Sequence, residues 1–441
     1  KDPNLPSTRS PASSAQVPQT TLTRDLSDGQ EVVTGSGQRY LPRAPGEDEA
    51  NYNDRLHRSV FFNAFGRTVE GLTGLIFRKD PKLSEDVPEQ IVDAWENVDL
   101  AGTHGDVFLR DLEADALTVG HAAIFVDFPD VGDEPPNREV EQETVRPYFI
   151  PIRKDDIISW RAMIENGRTV LQQIVIEERQ DAPVGEFGVA QVVSYRVIWR
   201  DDEGVHWKTV RVGKDRSVIP IAQGDYPTQV EIPVSEVPTS GRKSLFVSRP
   251  PLVDVAYLNV AHYQMWSDYA WSIHKTNVPI FVVTGESNED EDGNTVVTIL
   301  GGNNALWLPD PASKAQYVSH SGDALDSSKT ALDDLKSEMG TLGLAMLSPQ
   351  KRSAETAEAK RLDKSTSDSS LSVSARGLQD AVERAFGFWA RYLGMTDKGA
   401  GGSIEINRDF EGLLMDAPVM TAYAALVNAG FPERVVLEAL Q

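Results

Sequence analysis

Apolar residues three and four positions apart, Val60, Phe61, Ala64, Phe65, Val69, Leu72, Leu75 and Ile76, predict one amphipathic helix over residues 50–77, and Asp80-Pro81 ends it. A second helix is expected over 106–119, followed by a short apolar strand over 121–127. From Val145 to about Val234 the pattern turns to β. Stretches 157–164 and 169–177 flank Asn166-Gly167, the strongest short hairpin signal, and 192–199 is expected to pair with 205–212 across a turn at 201–204.

Pro250-Pro251 opens a helix over 252–275, which carries Leu252, Val255, Leu258, His262, Met265, Trp266, Tyr269 and Ile273. Such a rod is roughly 35 Å long. A strand over 278–284 follows, then an acidic turn of Asn288, Glu289, Asp290, Glu291, Asp292, Gly293 and Asn294, and a returning strand over 295–300. The next helix, 326–346, sets Leu332, Leu335, Met339, Leu342 and Met346 on one side. The order is helix out, small β module, helix back. Leu347, Ser348, Pro349, Gln350, Lys351 and Arg352 break the helical pattern with a basic tip, and a proline-free stretch then predicts one long helix over 354–393. Its first half is polar all round, so it bridges subunits or faces a water-filled space rather than a core.

With 441 residues the chain is long enough for two or three domains. No window of about eighteen consecutive apolar residues exists, and the first thirty residues lack a basic start followed by an apolar run, so neither a membrane span nor a secretion signal is expected. The absence of cysteine excludes disulfides, thiolate catalysis and cysteine-held metal sites. A net charge of −24 argues against a protein that grips phosphates tightly, while leaving room for DNA that slides past an acidic wall. Residues 1–34, rich in Pro, Ser and Thr, are expected to form an extended arm ordered only by lying on its own domain or on another molecule. A start at Lys1 and an end at Gln441 within an apolar run suggest part of a longer polypeptide.

Candidate chemistry is sparse. Asn288, Asp290, Asp292 and Gly293 have the offsets of a calcium loop, but Ile299 stands where a bidentate Glu is needed, so a solvated hairpin tip is the better reading. The seven histidines lack metal-ligand spacing, and no phosphate loop, nucleophile elbow or dinucleotide fingerprint occurs. No catalytic residue, metal or cofactor is therefore assigned. The one basic cluster is Lys351, Arg352, Lys360, Arg361 and Lys364, interrupted by Glu355, Glu358 and Asp363. Asn428-Ala-Gly430 mimics a helix-turn-helix, but residues 419–440 hold a single basic residue, Arg434, which speaks against DNA reading there.

Several strings, taken together, resemble the phage portal proteins, in particular a portal family long catalogued only as a domain of unknown function. They are Arg39-Tyr-Leu-Pro42, Tyr52-Asn-Asp-Arg55, Phe61-Phe-Asn-Ala64, Arg67-Thr-Val69 and Gly74-Leu-Ile-Phe77, then Pro250-Pro-Leu-Val-Asp-Val-Ala256, Leu258-Asn259, His262-Tyr263, Ser267-Asp268, His274, Pro279 and Thr284-Gly285. The similarity runs from Arg39 to about Leu440. It implies an α+β portal fold: an extended N-terminal arm (1–38), a wing (39–250), stem helices (251–276 and 326–346), a clip (277–325), a tunnel loop (347–353), a long helix (354–394) and a C-terminal segment (395–441). It further implies a dodecameric, non-enzymatic ring at the capsid vertex through which double-stranded DNA is packaged and ejected. The implied partners are further copies of the chain, the major capsid protein, a tail adaptor or head-completion protein and the terminase large subunit. Gln350, Lys351 and Arg352, with Lys360, Arg361 and Lys364 nearby, would line the channel, and residues 288–294 would meet the adaptor. Another ring-forming virion protein and a multi-domain hydrolase are the alternatives.

Overall fold

The computed structural model describes residues 2, 4–129, 145–276, 280–284, 314–318, 323–347, 369–397 and 399–410. Their helices are α1 (Pro11–Asp28), α2 (Gln30–Gly35), α3 (Glu49–Arg58), α4 (Ala64–Ile76), α5 (Glu89–Ala94), α6 (Gly105–Val119), α7 (Val253–Thr276), α8 (Asp323–Leu344) and α9 (Ser370–Tyr392). The strands are β1 (Lys82–Leu83), β2 (His121–Asp127), β3 (Tyr148–Arg153), β4 (Ile157–Glu165), β5 (Arg168–Val184), β6 (Gly188–Arg200), β7 (Val205–Val212), β8 (Val218–Asp225), β9 (Val234–Pro238), β10 (Arg242–Ser244), β11 (Val247–Ser248), β12 (Ile280–Thr284), β13 (Lys314–Val318) and β14 (Ile404–Glu405). Helices and antiparallel strands make an α+β chain. It divides into a first unit, Lys1–Gly29, Asn63–Tyr257 and Gly340–Gln441, and a second, Gln30–Phe62 and Leu258–Met339. Among the described residues no helix is long and apolar enough to cross a membrane.

The first unit is built on β2, whose seven residues are all buried because both faces of its sheet are covered. It is the centre of an antiparallel sheet ordered β3-β2-β9. Ala123 and Phe125 face a core shared with Ile174, Ile176 and Ile198 of a second sheet, the five-stranded meander β4-β5-β6-β7-β8. Strand alternation turns Ala122, Ile124 and Val126 to the opposite face, where α6 and α9 pack. From α9, Trp389 meets Phe149 edge-on at 5.1 Å between ring centroids. Gly120 ends α6 in the left-handed region (φ 107°), and a β-carbon there would come within 2.5 Å of Ser248 Oγ.

Three expectations need correction, and a fourth falls outside the described residues. Residues 11–28 are not extended: Ser10 caps α1 by accepting a hydrogen bond from Ser13 N (3.1 Å), and Pro11 starts the helix where its missing N–H costs nothing. The single helix expected over 50–77 is two, because the chain is extended at Ser59 and Asn63 Oδ1 caps α4 through Gly66 N (2.8 Å). The helix expected over 354–393 begins at Ser370, where extended Ser369 accepts from Ser372 N (3.1 Å); 354–368 lie outside the described residues. The described partner of β12 is β13, with Ile280 opposite Val318 and Thr284 opposite Lys314. Residues 295–300, the expected partner, lie outside the description.

Hairpin β4-β5 turns at Asn166-Gly167 as expected, both residues having positive φ. Hairpin β5-β6 runs further than the pattern indicated. Its ladder extends from Gln173 opposite Trp199 to Val184 opposite Gly188.

Candidate functional site

The residues chosen from sequence for the channel (Gln350, Lys351, Arg352, Lys360, Arg361 and Lys364) and for adaptor contact (Asn288, Glu289, Asp290, Glu291, Asp292, Gly293 and Asn294) all lie outside the described residues. What the second unit does bring together are the residues that carry the resemblance. Arg55 on α3 binds Glu47 through Nε and Oε1 (2.8 Å) and through Nη2 and Oε2 (2.9 Å), and donates to Pro42 O (2.9 Å) and Ser267 Oγ (3.2 Å). The hydrogen bonds from Arg55 hold the Glu47 carboxyl down at about 2. Tyr52 Oη donates to Leu41 O (3.1 Å), Gln264 Nε2 to Tyr40 O (2.8 Å) and Asn259 Nδ2 to Phe62 O (2.8 Å). Phe61 meets Tyr263 edge-on at 5.8 Å, and Phe62 lies 5.7 Å from the His262 ring. Burial depresses the pKa of His262, whose ring nitrogens take no hydrogen bond among the described residues. These side chains fasten the segment 40–62 to α7; they are packing and anchoring residues, not a catalytic set.

Two polar clusters in the first unit had no clear signal in the sequence. Arg196 on β6 binds Asp127 Oδ2 (2.7 Å) and Glu178 Oε1 (2.7 Å), with its guanidinium carbon 5.3 Å from the centre of the Trp207 ring. Burial opposes its charge, yet Asp127 and Glu178 together raise its pKa. Tyr226 Oη completes the cluster by donating to Asp127 Oδ1 (2.9 Å). In the second cluster, Lys154 Nζ donates to Val119 O (2.6 Å) and to Ser248 Oγ (3.3 Å), and the Ser248 hydroxyl and His121 Nδ1 share a hydrogen bond (2.7 Å). Burial pushes Lys154 down to about 8 and His121 well below its ordinary value.

A serine beside a histidine invites comparison with a nucleophile and its base. Here Ser248, His121 and Lys154 are each at most 5% exposed, and the cavity beside them, about 10 Å³, has room for about one water molecule. The cluster ties the end of α6 to β11 and offers a substrate no entry. Glu113 on α6 is fully buried, which pushes its pKa up to about 8, and its carboxyl oxygens find no hydrogen-bond partner among the described residues. No group of three or more His, Asp or Glu among those residues could hold a metal ion.

Residues 251–393, less than half of the chain, match the model of a family described as a domain of unknown function (DUF4055). No curated protein matches. Among solved structures, the chain is similar to one from the virion of a native gene transfer agent particle, at 12% identity and a TM-score of 0.37 over 92% of this chain and 98% of that one. It is also similar to a chain from the neck of the native particle computed with C12 symmetry, at 12% identity and 0.37 over 84% and 86%, and to one from the neck of the empty particle computed with C6 symmetry, at 13% and 0.37 over 93% and 98%. Superpositions this loose assign neither a fold nor a role, so a functional reading has to rest on the residues themselves.

Proposed function

We propose that the chain is a non-enzymatic ring subunit of a tailed-phage virion at the head-to-tail junction, a portal protein whose ring passes double-stranded DNA. The observation that supports this reading best is the order α7, β12-β13, α8: a 24-residue helix, an antiparallel ladder and a 22-residue helix. This is the out-and-back pattern expected of a portal stem and clip, and it coincides with the strings that resemble portal proteins.

In this reading Lys351 and Arg352 of every subunit form a basic ring in an otherwise acidic channel, attracting phosphates without holding one register. The function is tested by electron microscopy of the purified chain and by packaging with the Lys351→Ala, Arg352→Ala double variant. Rings with an axial channel and a stem, and a variant that assembles normally but retains less DNA, are expected. Particles without a channel, or a double variant with unaltered DNA retention, would remove the portal role or the basic ring respectively.

A further inference from the structure

We infer that the described structure carries both halves of a head-to-tail contact between copies of this chain: an aromatic knob, Phe187, and an aromatic cleft at the opposite end of the same sheet. The last pair between β4 and β5 is Ile157 with Ile176, and the last between β6 and β7 is Tyr195 with Val210. Beyond those pairs β5 and β6 continue alone, from Glu178 opposite Ser194 to Val184 opposite Gly188, as a two-stranded arm about 20 Å long. An isolated hairpin is marginal in water. This one also exposes apolar side chains: Phe187 at its tip is 90% exposed, beside Val184 and Val189 at 56% and 68%. Clustered exposure of this kind marks a contact surface.

The cleft lies where β7 and β8 pair through Trp207 and Gly224. It has a volume of about 390 Å³ and is lined by Phe128, Pro129, Trp207, Tyr226, Pro227 and Tyr392. That volume is in the range that takes a small ring-bearing ligand. The rings are set at angles to one another, Tyr226 standing edge-on to Tyr392 at 6.2 Å and Trp207 at 6.4 Å from Tyr226, which leaves faces and edges for another aromatic side chain. Helix α9 also carries Arg384 and Arg391, which with Arg168 and Glu231 line a neighbouring depression of net positive charge. The exposed acidic residues of the arm, Asp181 and Glu186, match that charge.

Knob and cleft cannot meet within one copy. Ile198 lies opposite Trp207, and the eleven residues of extended chain from there to Phe187 span roughly 37 Å. Two different, complementary patches on one molecule make a heterologous contact, which closes into a ring or grows into a filament, whereas a two-fold dimer pairs identical patches. This inference does not depend on DNA passage and holds or fails separately from it.

The cysteine-free chain permits a direct test. Glu186→Cys and Thr228→Cys, both at exposed positions with Glu186 beside the knob and Thr228 on the cleft rim, are made as separate full-length variants, mixed under assembly conditions and treated with a short bifunctional maleimide. Cross-linked dimers in the mixture, with neither variant alone giving any, are expected, as is dissociation of the assembly by Phe187→Asp with unchanged circular dichroism. Dimers of Glu186→Cys alone would mean that tips pair with tips and would overturn the contact. So would an absence of mixed dimers while the Cys variants remain assembled.

Discussion

The β5-β6 hairpin is one uninterrupted ladder with two opposite environments. At its root, Ile174, Ile176 and Ile198 are at most 5% exposed, covered by the β3-β2-β9 sheet, and Arg196 spends its charge on Asp127 and Glu178. At its tip Val184, Phe187 and Val189 are exposed, Phe187 almost fully. The residue types are alike, so hydrophobicity alone does not distinguish stabilising residues from associating ones. What distinguishes them is whether the same chain supplies the covering layer. The root contributes to the stability of one subunit, and the tip is apolar surface that no other described residue covers.

The largest expected effect lies at the root. Ile198→Ala removes a fully buried side chain between two sheets and is expected to cost roughly 2–5 kcal/mol in urea unfolding. A loss below about 1 kcal/mol would erase the contrast with the tip. Next comes Glu113, also in the interior of the first unit, whose effect has the opposite sign. Its carboxyl titrates near 8 in the folded chain and near 4.5 when unfolded. Between those values the folded state binds the extra proton, so stability falls as pH rises from 4.5 to 8 and levels off above. Glu113→Gln, uncharged at every pH, is expected to stabilise the chain by roughly 3 kcal/mol at pH 7 and to flatten that slope. An unchanged slope would show that Glu113 is paired or hydrated. The smallest effect belongs to the tip: Phe187→Ser is expected to change subunit stability by no more than about 0.5 kcal/mol. A loss comparable with that of Ile198→Ala would mean that the arm folds back on its own subunit.

The same contrast explains what could be read in the sequence. Asn166-Gly167 announced its hairpin because an αL-αL turn needs those residue types, and α7 announced itself by its spacing. Helix α1 did not, because the residues it buries are Ser13, Thr20, Thr23 and Leu26. Small polar side chains that bond the neighbouring backbone, as Ser13 Oγ does with Ile157 O (3.0 Å), leave no apolar period. Its signal was Ser10-Pro11, a cap followed by a first-turn proline. Ser59 to Asn63 carried the reverse error: Val60 and Phe61 look like part of a helical face but lie between the two helices, Phe61 buried and Val60 exposed. The Arg196–Asp127 pair joins positions 69 residues apart and has no local signature. The residues proposed for the channel and the clip lie outside the described residues, and the resemblance names positions without supplying their surroundings.

The central claim is that this chain assembles head to tail into a closed ring, and native mass spectrometry of the purified full chain tests it most directly. The account predicts one dominant species near twelve subunits whose size does not change as protein concentration rises. A monomer at all concentrations, or a dimer that saturates at two copies, would contradict it.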